Sequence, residues 1–501
     1  MDARTITRAA LGLASATLMS HSMLAQRASH DAVTAAVTHG VIAGDVTSNS
    51  AVIWSRTDHT SIMHVLVKGN GRESHDSEYR AVAVTAEHDY TGKVRITGLQ
   101  PEREYTYTVW FSGSPETPVP RAAVATGHFR TAPRQNDPES VTFAFGGDVA
   151  GQNVCRDAIE GFPIFNTISK INPDFLIGLG DMIYADSACT ATGMYGNAQV
   201  VGPGPATTLN DFWAHWKYNR EDAASQRLLA QLPYYAVWDD HEVTNDFGPL
   251  TDTRTTPPNP PTPHLMPLGL QAMLDYNPIL PARNTPNRLY RNFRWGKNLE
   301  MFILDTRQYR DANFEEDDPA APKTMLGREQ VAWLKSMLKR SDATWKLIVS
   351  SVPMSIPTGP AGPAGNRDGW ANYDTDKGFE LELSDILKDM QQNNVANVLF
   401  VTTDVHFSEV FRYTPVVDHP DFHVHEVVTG PMNSGVLGKP DFDTTLGTEK
   451  LFRSDNAPKT WADAKKAFNF GVVRIASDGA LKASVTDING ASLFDLLLTP
   501  R

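Results

Sequence analysis

The chain has 501 residues, of which 41% are hydrophobic and 9% aromatic, and its formal net charge at pH 7 is −13. A chain of this length exceeds the size of a single hydrophobic core, so two domains are expected. The acidic balance argues against a stable complex with nucleic acid. No run beyond the N-terminus is long and apolar enough to span a bilayer, and no pattern indicates an oligomeric state.

The N-terminus has the features of an export signal. Arg4 and Arg8 give it a basic start, residues 9–19 are largely apolar, and Ala25 offers a small residue for cleavage. We therefore predict a signal peptide over residues 1–25 and a secreted or periplasmic protein. A frayed amphipathic segment is the alternative, because Met23 is larger than the residue preferred three positions before the cut.

Short runs of β-type residues follow one another between residues 34 and 133, separated by turns: "SAVIWSRT", "HVLVKGN", "YRAVAVTA" and "GKVRITGLQPEREYTYTVWF". This pattern predicts an all-β sandwich. The stretch "LQPEREYTY" resembles the fibronectin type III pattern, in which the hydroxyl of a tyrosine, here Tyr105, fixes the preceding loop. Such a domain is usually a spacer or a cover.

A polar, proline-bearing linker ends this region, and from residue 140 to residue 501 apolar strands alternate with helical segments. The predicted strands are "VTFAF", "DFLIGL", "YYAVW", "LEMFIL", "WKLIVS", "NVLFVT" and "FHVHEVV", and the predicted helices include "REQVAWLKSMLKR" and "FELELSDILKDM". The alternation predicts a layered α/β domain. Two passages rich in proline and glycine, "VGPGPATT" and "RTTPPNPPTPHLMPLG", are expected to form long surface loops.

Cys155 and Cys189 are the only cysteines in the chain. In an oxidising compartment such a pair favours one disulfide bridge. The alternative is a thiolate metal ligand, because Cys155 follows a strand-end aspartate, Asp148, by seven residues.

The predicted strands share one feature, which is that five of them run into an acidic residue. The aspartates stand in "FGGD", "GLGDMIY", "WDDHE", "ILDTR" and "TTDVH", as Asp148, Asp181, Asp240, Asp305 and Asp404. Ligands of open α/β sheets bind outside the carboxyl ends of the strands, so these side chains are expected to converge. A single aspartate there is more often a turn or cap residue, but five in order, with His241, His406 and Tyr184, favour a metal site.

The run "WDDHE" strengthens this interpretation. Asp239, Asp240 and Glu242 repel one another unless a cation or strong hydrogen bonds compensate. Oxygen ligands with histidine suit iron, calcium, manganese or zinc. We expect Asp239 to support or cap rather than to bind metal, and Asp305 to orient Arg307 or cap the next turn.

The order GD, GDxxY, DDHE, DxH is similar to that of calcineurin-like metallophosphoesterases, and more closely to the PhoD-like alkaline phosphatase and phosphodiesterase branch. The finer resemblance lies in "LGDMIYAD", "VWDDHEV", "LDTRQYR", "TTDVHFSE" and "EVVTGPMNSG". It covers essentially the whole chain after the leader. It implies a layered αββα metallophosphoesterase domain over residues 140–501, preceded by the fibronectin-like sandwich over residues 34–133.

The resemblance also implies roles for individual residues. Asp181 would bridge two metals, Asn245 would contact metal or phosphate, His241 would lie near the leaving group, and Arg307 would be an anion contact. The implied metal ligands are Asp148, Asp181, Tyr184, Asp240, Asp404 and His406.

The sequence departs from the family pattern at three positions that matter for the metals and the substrate. Asp148 stands where the branch often has a cysteine that binds iron, no histidine follows "WKLIVSSVPMS", and "RDGW" at residues 367–370 replaces a "WDGY"-like segment. Arg367 and Trp370 are therefore only candidate substrate contacts. Fe³⁺ and Ca²⁺ are expected as cofactors, with Zn²⁺ or Mn²⁺ as alternatives.

These features predict a secreted, metal-dependent phosphoesterase that hydrolyses small organic phosphomonoesters, phosphodiesters or both with metal-activated hydroxide. One alternative is a phospholipase-like phosphodiesterase that acts on lipid headgroups. The other is a non-catalytic binding or scaffold protein with a degenerate site.

Overall fold

The computed structural model describes residues 35–70, 77–115, 119–120, 123–250, 262–359, 367–438 and 440–501. The predicted signal peptide lies outside these residues. Strands and helices of the described part form three sheets with helices against two of them. None of the helices in these ranges combines the length and the apolar character that crossing a membrane requires.

The N-terminal region is the predicted sandwich. Its strands are β1 (Val41–Gly44), β2 (Ser50–Arg56), β3 (Ser61–Gly69), β4 (Ser77–Val84), β5 (Thr91–Thr97), β6 (Glu104–Ser112) and β7 (Ala125–Arg130). Strands β1, β2 and β5 form one layer and β4, β3, β6 and β7 the other, with a shared apolar core between them. As predicted, the Tyr105 hydroxyl fixes its loop, because it accepts a hydrogen bond of 2.7 Å from the Gln100 backbone N–H.

Two larger sheets carry the rest of the chain. The remaining strands are β8 (Val141–Gly146), β9 (Phe175–Gly178), β10 (Pro233–Ala236), β11 (Arg291–Trp295), β12 (Leu299–Ile303), β13 (Trp345–Val349), β14 (Val398–Thr402), β15 (Glu409–Tyr413), β16 (Val424–Val428), β17 (Thr448–Arg453), β18 (Asn469–Ile475), β19 (Leu481–Asp487) and β20 (Ser492–Leu498). One sheet has the order β20-β19-β18-β8-β9-β10-β1-β2-β5, and the other has the order β11-β12-β13-β14-β16-β15-β17.

The helices are α1 (Ile164–Ile171), α2 (Leu209–Arg220), α3 (Ala223–Leu229), α4 (Thr262–Tyr276), α5 (Gly327–Arg340), α6 (Glu380–Gln392) and α7 (Trp461–Ala467). The two sheets pack face to face over an apolar core, α1 to α4 cover the outer face of the first sheet, and α5 and α6 cover the second. Central strands are thus buried on both faces, which explains their continuous apolar sequences. The predicted layered αββα fold class is confirmed.

The sandwich shares a sheet with the second region instead of standing apart from it. Strand β1 pairs in parallel with β10, with Ala43 opposite Pro233 and Gly44 opposite Tyr234. Three strands of the sandwich thereby extend the sheet that carries part of the predicted site. Of the two expected roles, spacer and cover, this arrangement fits a cover.

One predicted loop is partly helical. The passage at residues 201–208 is irregular up to the start of α2, but residues 262–269 of the second proline-rich passage belong to α4, and residues 254–261 lie outside the described part. Leu265, Leu270 and Met273 of α4 are buried in the core beneath the first sheet. Their burial outweighs the cost of Pro267 inside the helix, and Pro263 lies in the first turn, where a missing N–H costs little.

Candidate metal centre

Four of the five strand-end aspartates meet at one edge of the two sheets, whereas Asp305 joins none of the donor groups found among the described residues. Strands β8, β9 and β10 are parallel neighbours, as are β12, β13 and β14, so their carboxyl ends lie on the same side. Ligand atoms within 4.8 Å of one another form four groups: Asp148 with Asp181 and His406; Asp181 with Asp240 and His241; Asp181 with Asp239, Asp240 and Asp404; and Asp240 with Asp246 and Asp368. Asp181 belongs to three of them, as the bridging position would require.

The backbone is unusual where it presents these side chains. The φ angles of Asp148, Asp181, Asp404 and His406 are +61°, +52°, +80° and +60°. Left-handed conformations are uncommon outside glycine and cost free energy, so they persist where the surroundings enforce them, and they concentrate at functional sites.

Two glycines let the loops approach one another. Gly180 has a φ of +114°, and a Cβ there would lie 2.7 Å from the Cβ of Asp239. Gly430 has a φ of +121°, and a Cβ there would lie 2.1 Å from Asp148 Oδ2. A larger residue at either position would push a carboxylate out of the group.

Five buried carboxylate oxygens of this centre have no hydrogen-bond partner among the described residues. They are Asp148 Oδ1, Asp181 Oδ2, Asp239 Oδ2, Asp240 Oδ1 and Asp404 Oδ2. Buried polar atoms are almost always satisfied, and a carboxylate left alone in a protein interior is costly. Cations coordinated by these oxygens would remove that cost, so the donor set fits metal ions.

Electrostatics leads to the same conclusion. Burial raises the pKa of Asp148 to about 8, and burial together with Asp240, Asp239 and Glu242 raises the pKa of Asp181 well above its usual value. Carboxylates arranged in this way hold protons unless positive charge stabilises their ionised forms. A bound cation would supply it.

Tyr184 and His406 complete the first group. The Tyr184 hydroxyl lies 2.8 Å from His406 Nε2, and both side chains are buried. His406 Nδ1 lies 2.6 Å from the Gly435 carbonyl oxygen, to which it donates a proton, so Nε2 keeps its lone pair for a ligand. Burial lowers the pKa of His406 to about 4, which keeps the ring neutral.

His241 is held by Asp186, an aspartate that the sequence pattern did not single out. Its Nδ1 lies 2.8 Å from Asp186 Oδ1, while Asp186 Oδ2 accepts a hydrogen bond of 2.8 Å from the Asn245 backbone N–H. Burial lowers the pKa of His241, but Asp186 and Asp240 outweigh it and raise the pKa to about 10. The only signal for Asp186 was its place in "LGDMIYAD", five residues after Asp181.

Glu242 shapes the loop instead of joining a group. Its carboxylate accepts hydrogen bonds from the backbone N–H groups of Asp181, Met182 and Asp239, at 3.1, 2.8 and 2.8 Å. These bonds tie the loop after β10 to the loop after β9. The acidic residues of "WDDHE" therefore both contribute to the candidate donor groups and fix the loop.

Arg307 does not lie where the resemblance implied. Its guanidinium is fully buried, with Nε 2.6 Å from Asp239 Oδ1 and both Nη atoms on Asp368, at 2.6 and 2.9 Å. Its donors are thus engaged inside the protein, and a direct contact with a substrate anion is not available in this arrangement. Arg307 instead positions Asp239, whose other oxygen faces the group around Asp181.

Asp305 caps a turn as expected, whereas the two candidate substrate contacts are buried. Asp305 accepts hydrogen bonds of 3.1 Å from the backbone N–H groups of Arg307 and Gln308, as expected of a turn cap. Arg367 and Trp370, the candidate substrate contacts, are both buried, and Arg367 pairs with Asp374. The residue of "RDGW" that reaches the site is Asp368, which pairs with Arg307 and also belongs to the group of Asp240 and Asp246.

Cys155 and Cys189 are joined in a disulfide, in line with the favoured prediction. Their sulfurs are thereby excluded as thiolate ligands. The centre consists of oxygen and imidazole donors alone.

A cavity of about 390 Å³ opens beside the centre. Asp404 and Asn245 line it, and the apolar side chains of Val405, Phe407 and Leu437 form part of its wall. The Asn245 side chain is exposed there, so a molecule in the cavity can contact both Asn245 and the donor groups.

Family models match most of the chain. The model of the PhoD-like phosphatase matches residues 143–484, and that of the PhoD-like phosphatase N-terminal domain matches residues 23–133. The chain belongs to the PhoD-like phosphatase family. The PhoD-like centre described above lies within the first match.

Individual proteins and solved structures are also similar to this chain. The PhoD-like chain is 26% identical to alkaline phosphatase D of Bacillus subtilis (strain 168) over 401 residues, which cover 74% of this chain and 64% of that protein. A solved structure of PhoD has the same fold, with a TM-score of 0.71 and 19% sequence identity. The match covers 93% of this chain and 90% of the PhoD chain. Purple acid phosphatase PPD1 from yellow lupin (Lupinus luteus) shares the fold, with a TM-score of 0.60 and 13% sequence identity. That match covers 93% of this chain and 74% of the lupin chain.

Proposed function

We propose that this PhoD-like chain is an exported, metal-dependent phosphoesterase that hydrolyses small organic phosphomonoesters, phosphodiesters or both. The observation that carries the proposal is the set of five buried, unpartnered carboxylate oxygens at the carboxyl ends of the strands. Family membership and the name of the Bacillus relative support the reaction class.

The donor groups divide into two overlapping sets. Asp148, Asp181, Tyr184 and His406 would hold one ion, and Asp181 with Asp240 and Asp404 would hold another. Ions bound there would lower the pKa of water and polarise a phosphoryl oxygen. We propose Fe³⁺ and Ca²⁺, with Zn²⁺ or Mn²⁺ as alternatives because Asp148 replaces the thiolate.

The other residues of the site would bind the substrate or orient the groups that do. Asn245 reaches the cavity from its rim and would donate its amide N–H to a phosphoryl oxygen. Asp186 accepts a bond from His241 Nδ1, which orients the ring so that Nε2 can give a proton to a leaving oxygen. Arg307 acts through Asp239 and does not touch the substrate.

The cavity favours an ester that carries an organic group. Its volume of about 390 Å³ is at the small end for organic ligands, and Val405, Phe407 and Leu437 give it apolar surface. The same apolar surface is the observation that favours the second candidate function, a phosphodiesterase acting on lipid headgroups. Dominant turnover of phosphatidylcholine over chromogenic esters would place that candidate first.

The first experiment combines elemental analysis of the full chain with hydrolysis of p-nitrophenyl phosphate and bis-p-nitrophenyl phosphate before and after chelation. Two or more metal ions per chain, and activity that chelation removes and metal restores, are expected. A metal-free protein that no ferric or divalent ion activates would instead support the non-catalytic scaffold.

Export is tested separately. The proposed signal peptide over residues 1–25 predicts that the mature protein is recovered from the periplasm or the medium with Gln26 as its first residue. Recovery of an uncleaved chain from the cytoplasm would contradict it.

A further inference from the structure

A second cavity, of about 300 Å³, lies where the sandwich meets the edge of the second sheet. Three arginines line it, Arg95, Arg288 and Arg291, against a single acidic residue, Asp45. This local excess of positive charge stands on a chain whose net charge is −13. The contrast marks the cavity as a place where an anion would be attracted.

The acid is already neutralised. Arg291 Nε lies 3.0 and 3.1 Å from the two carboxylate oxygens of Asp45, and its Nη2 lies 2.9 Å from Oδ1. Arg291 also donates to the Leu289 and Ala236 carbonyl oxygens, so it is a structural residue. Two arginines therefore remain without a carboxylate partner in the described part of the chain.

Those two, Arg95 and Arg288, retain most of their donors. Arg95 Nη2 donates to the Leu280 carbonyl oxygen at 2.8 Å, and Arg288 Nε donates to the Tyr290 carbonyl oxygen at 3.2 Å. A guanidinium has five N–H groups, so each has several left for a ligand. The Arg288 guanidinium also lies 4.0 Å from the centre of the Tyr290 ring, which fixes its plane.

Strand register places this cavity at the same sheet edge as the metal centre. Arg95 in β5 is opposite Val52 in β2, which is opposite Gly44 at the end of β1, beside β10. Arg291 is opposite Ile303 at the end of β12. Because β5 is three strands from β10, Arg95 lies roughly 14 Å from β10 across the sheet.

We infer that this cavity is a second anion site, in which Arg95 and Arg288 bind a phosphate-type oxyanion. Planar guanidinium groups recognise such oxyanions through paired, charge-assisted hydrogen bonds. The anion is either free inorganic phosphate or a second phosphate group of an extended substrate. The binding itself does not depend on the proposed activity, since it requires no turnover.

The test is calorimetric titration of the metal-loaded full chain with inorganic phosphate at low ionic strength. Wild-type protein is expected to show two classes of site. The double variant Arg95→Gln/Arg288→Gln should weaken one class by about tenfold or more, and Asp181→Asn should remove the other. Arg474→Gln, which removes an exposed arginine elsewhere on the surface, is the matched control.

A titration curve of the double variant that superposes on that of Arg474→Gln would overturn the inference. Hydrolysis of p-nitrophenyl phosphate should be unchanged in both variants, which also shows that they are folded. If the double variant failed to fold, protection of Arg95 and Arg288 in the wild-type protein from phenylglyoxal by phosphate would decide, and equal modification with and without phosphate would contradict the site.

A kinetic comparison identifies the source of the anion. A loss of kcat/KM confined to a substrate with a second phosphate, in the double variant but not in Arg474→Gln, would assign the site to the substrate. Weakened phosphate binding with unchanged kcat/KM for both substrates would assign it to free phosphate. Either result supports the anion site.

Discussion

Asp186 and His241 form a carboxylate–imidazole pair in which Oδ1 and Nδ1 are 2.8 Å apart. The other oxygen of Asp186 holds the Asn245 backbone N–H, so one carboxylate orients both residues that we propose to face the substrate. This relationship would link a residue outside the candidate metal groups to the proposed reaction.

Replacing Asp186 tests that link. Asp186→Asn is expected to lower kcat for p-nitrophenyl phosphate by about 10- to 100-fold, because the amide no longer fixes the ring by charge, while the metal content stays unchanged. Steady-state kinetics with elemental analysis measures both. Asp186→Glu should recover part of the activity, and loss of metal in Asp186→Asn would contradict a positioning role.

Replacing Asp181 should lower metal content and activity far more than replacing Asp305, although both are buried aspartates that follow strands. Asp181→Asn is expected to lower the metal content per chain and to reduce activity by more than about a hundredfold, because it removes the shared ligand. Asp305→Asn is the matched control, since the Asp305 oxygens bind Trp238 and two backbone N–H groups. Equal metal loss in both variants would show that Asp181 is not a ligand.

Arg307 is expected to act on stability. Arg307→Met leaves the buried carboxylate of Asp239 without its cationic partner, at a cost of about 3–5 kcal/mol in the free energy of unfolding. Urea denaturation measures this cost. The exposed control Arg474→Met should change stability by less than about 0.5 kcal/mol, and the same small effect in both variants would refute the buried pairing.

Glu426, which lies outside the donor groups, should make the stability of the protein depend on pH. Burial raises its pKa to about 7 from a usual value of 4.5. The folded chain keeps a proton there that the unfolded chain releases, so this group favours folding below pH 4.5, and its contribution falls as the pH rises from 4.5 to 7. The expected loss is about 3 kcal/mol.

Glu426→Gln removes that titration while an amide oxygen can still accept from the Met354 N–H and the Thr402 hydroxyl. The difference in unfolding free energy between variant and wild type should therefore shift by about 3 kcal/mol in favour of the variant between pH 4 and pH 8. Urea denaturation at both pH values checks it. Glu315→Gln, at an exposed position, should show no such shift.

The disulfide supports a further prediction. Cys155 and Cys189 are 34 residues apart, and closing a loop of that length in the unfolded chain corresponds to about 3–4 kcal/mol. Cys155→Ser/Cys189→Ser should lose about that much stability and keep its metals. Thiol titration of the denatured, unreduced wild-type protein should find no free thiol, and two free thiols would contradict the bridge.

The fold and the main groups were predictable because both depend on local patterns. Apolar runs that end in aspartate reveal central strands and their carboxyl ends, so Asp148, Asp181, Asp240 and Asp404 could be expected to converge. The layered packing then follows from general rules for α/β domains.

What could not be predicted depends on partners distant in sequence. Arg307 pairs with Asp368, 61 residues away, and no spacing in "LDTRQYR" indicates that the arginine points inward. Asp186 looked like any polar residue after a strand. Helix α4 contradicted its proline-rich sequence because burial of Leu265 and Met273 depends on a core that other segments build.

The parallel pairing of β1 with β10 has a consequence for dissection of the protein. A chain beginning at residue 140 would expose the hydrogen-bonding edge of β10, just before the loop that carries Asp240 and His241. Unpaired strand edges invite association with other chains. The N-terminal region is therefore an internal edge cover for the metal centre, and separating the two regions would yield an aggregating fragment.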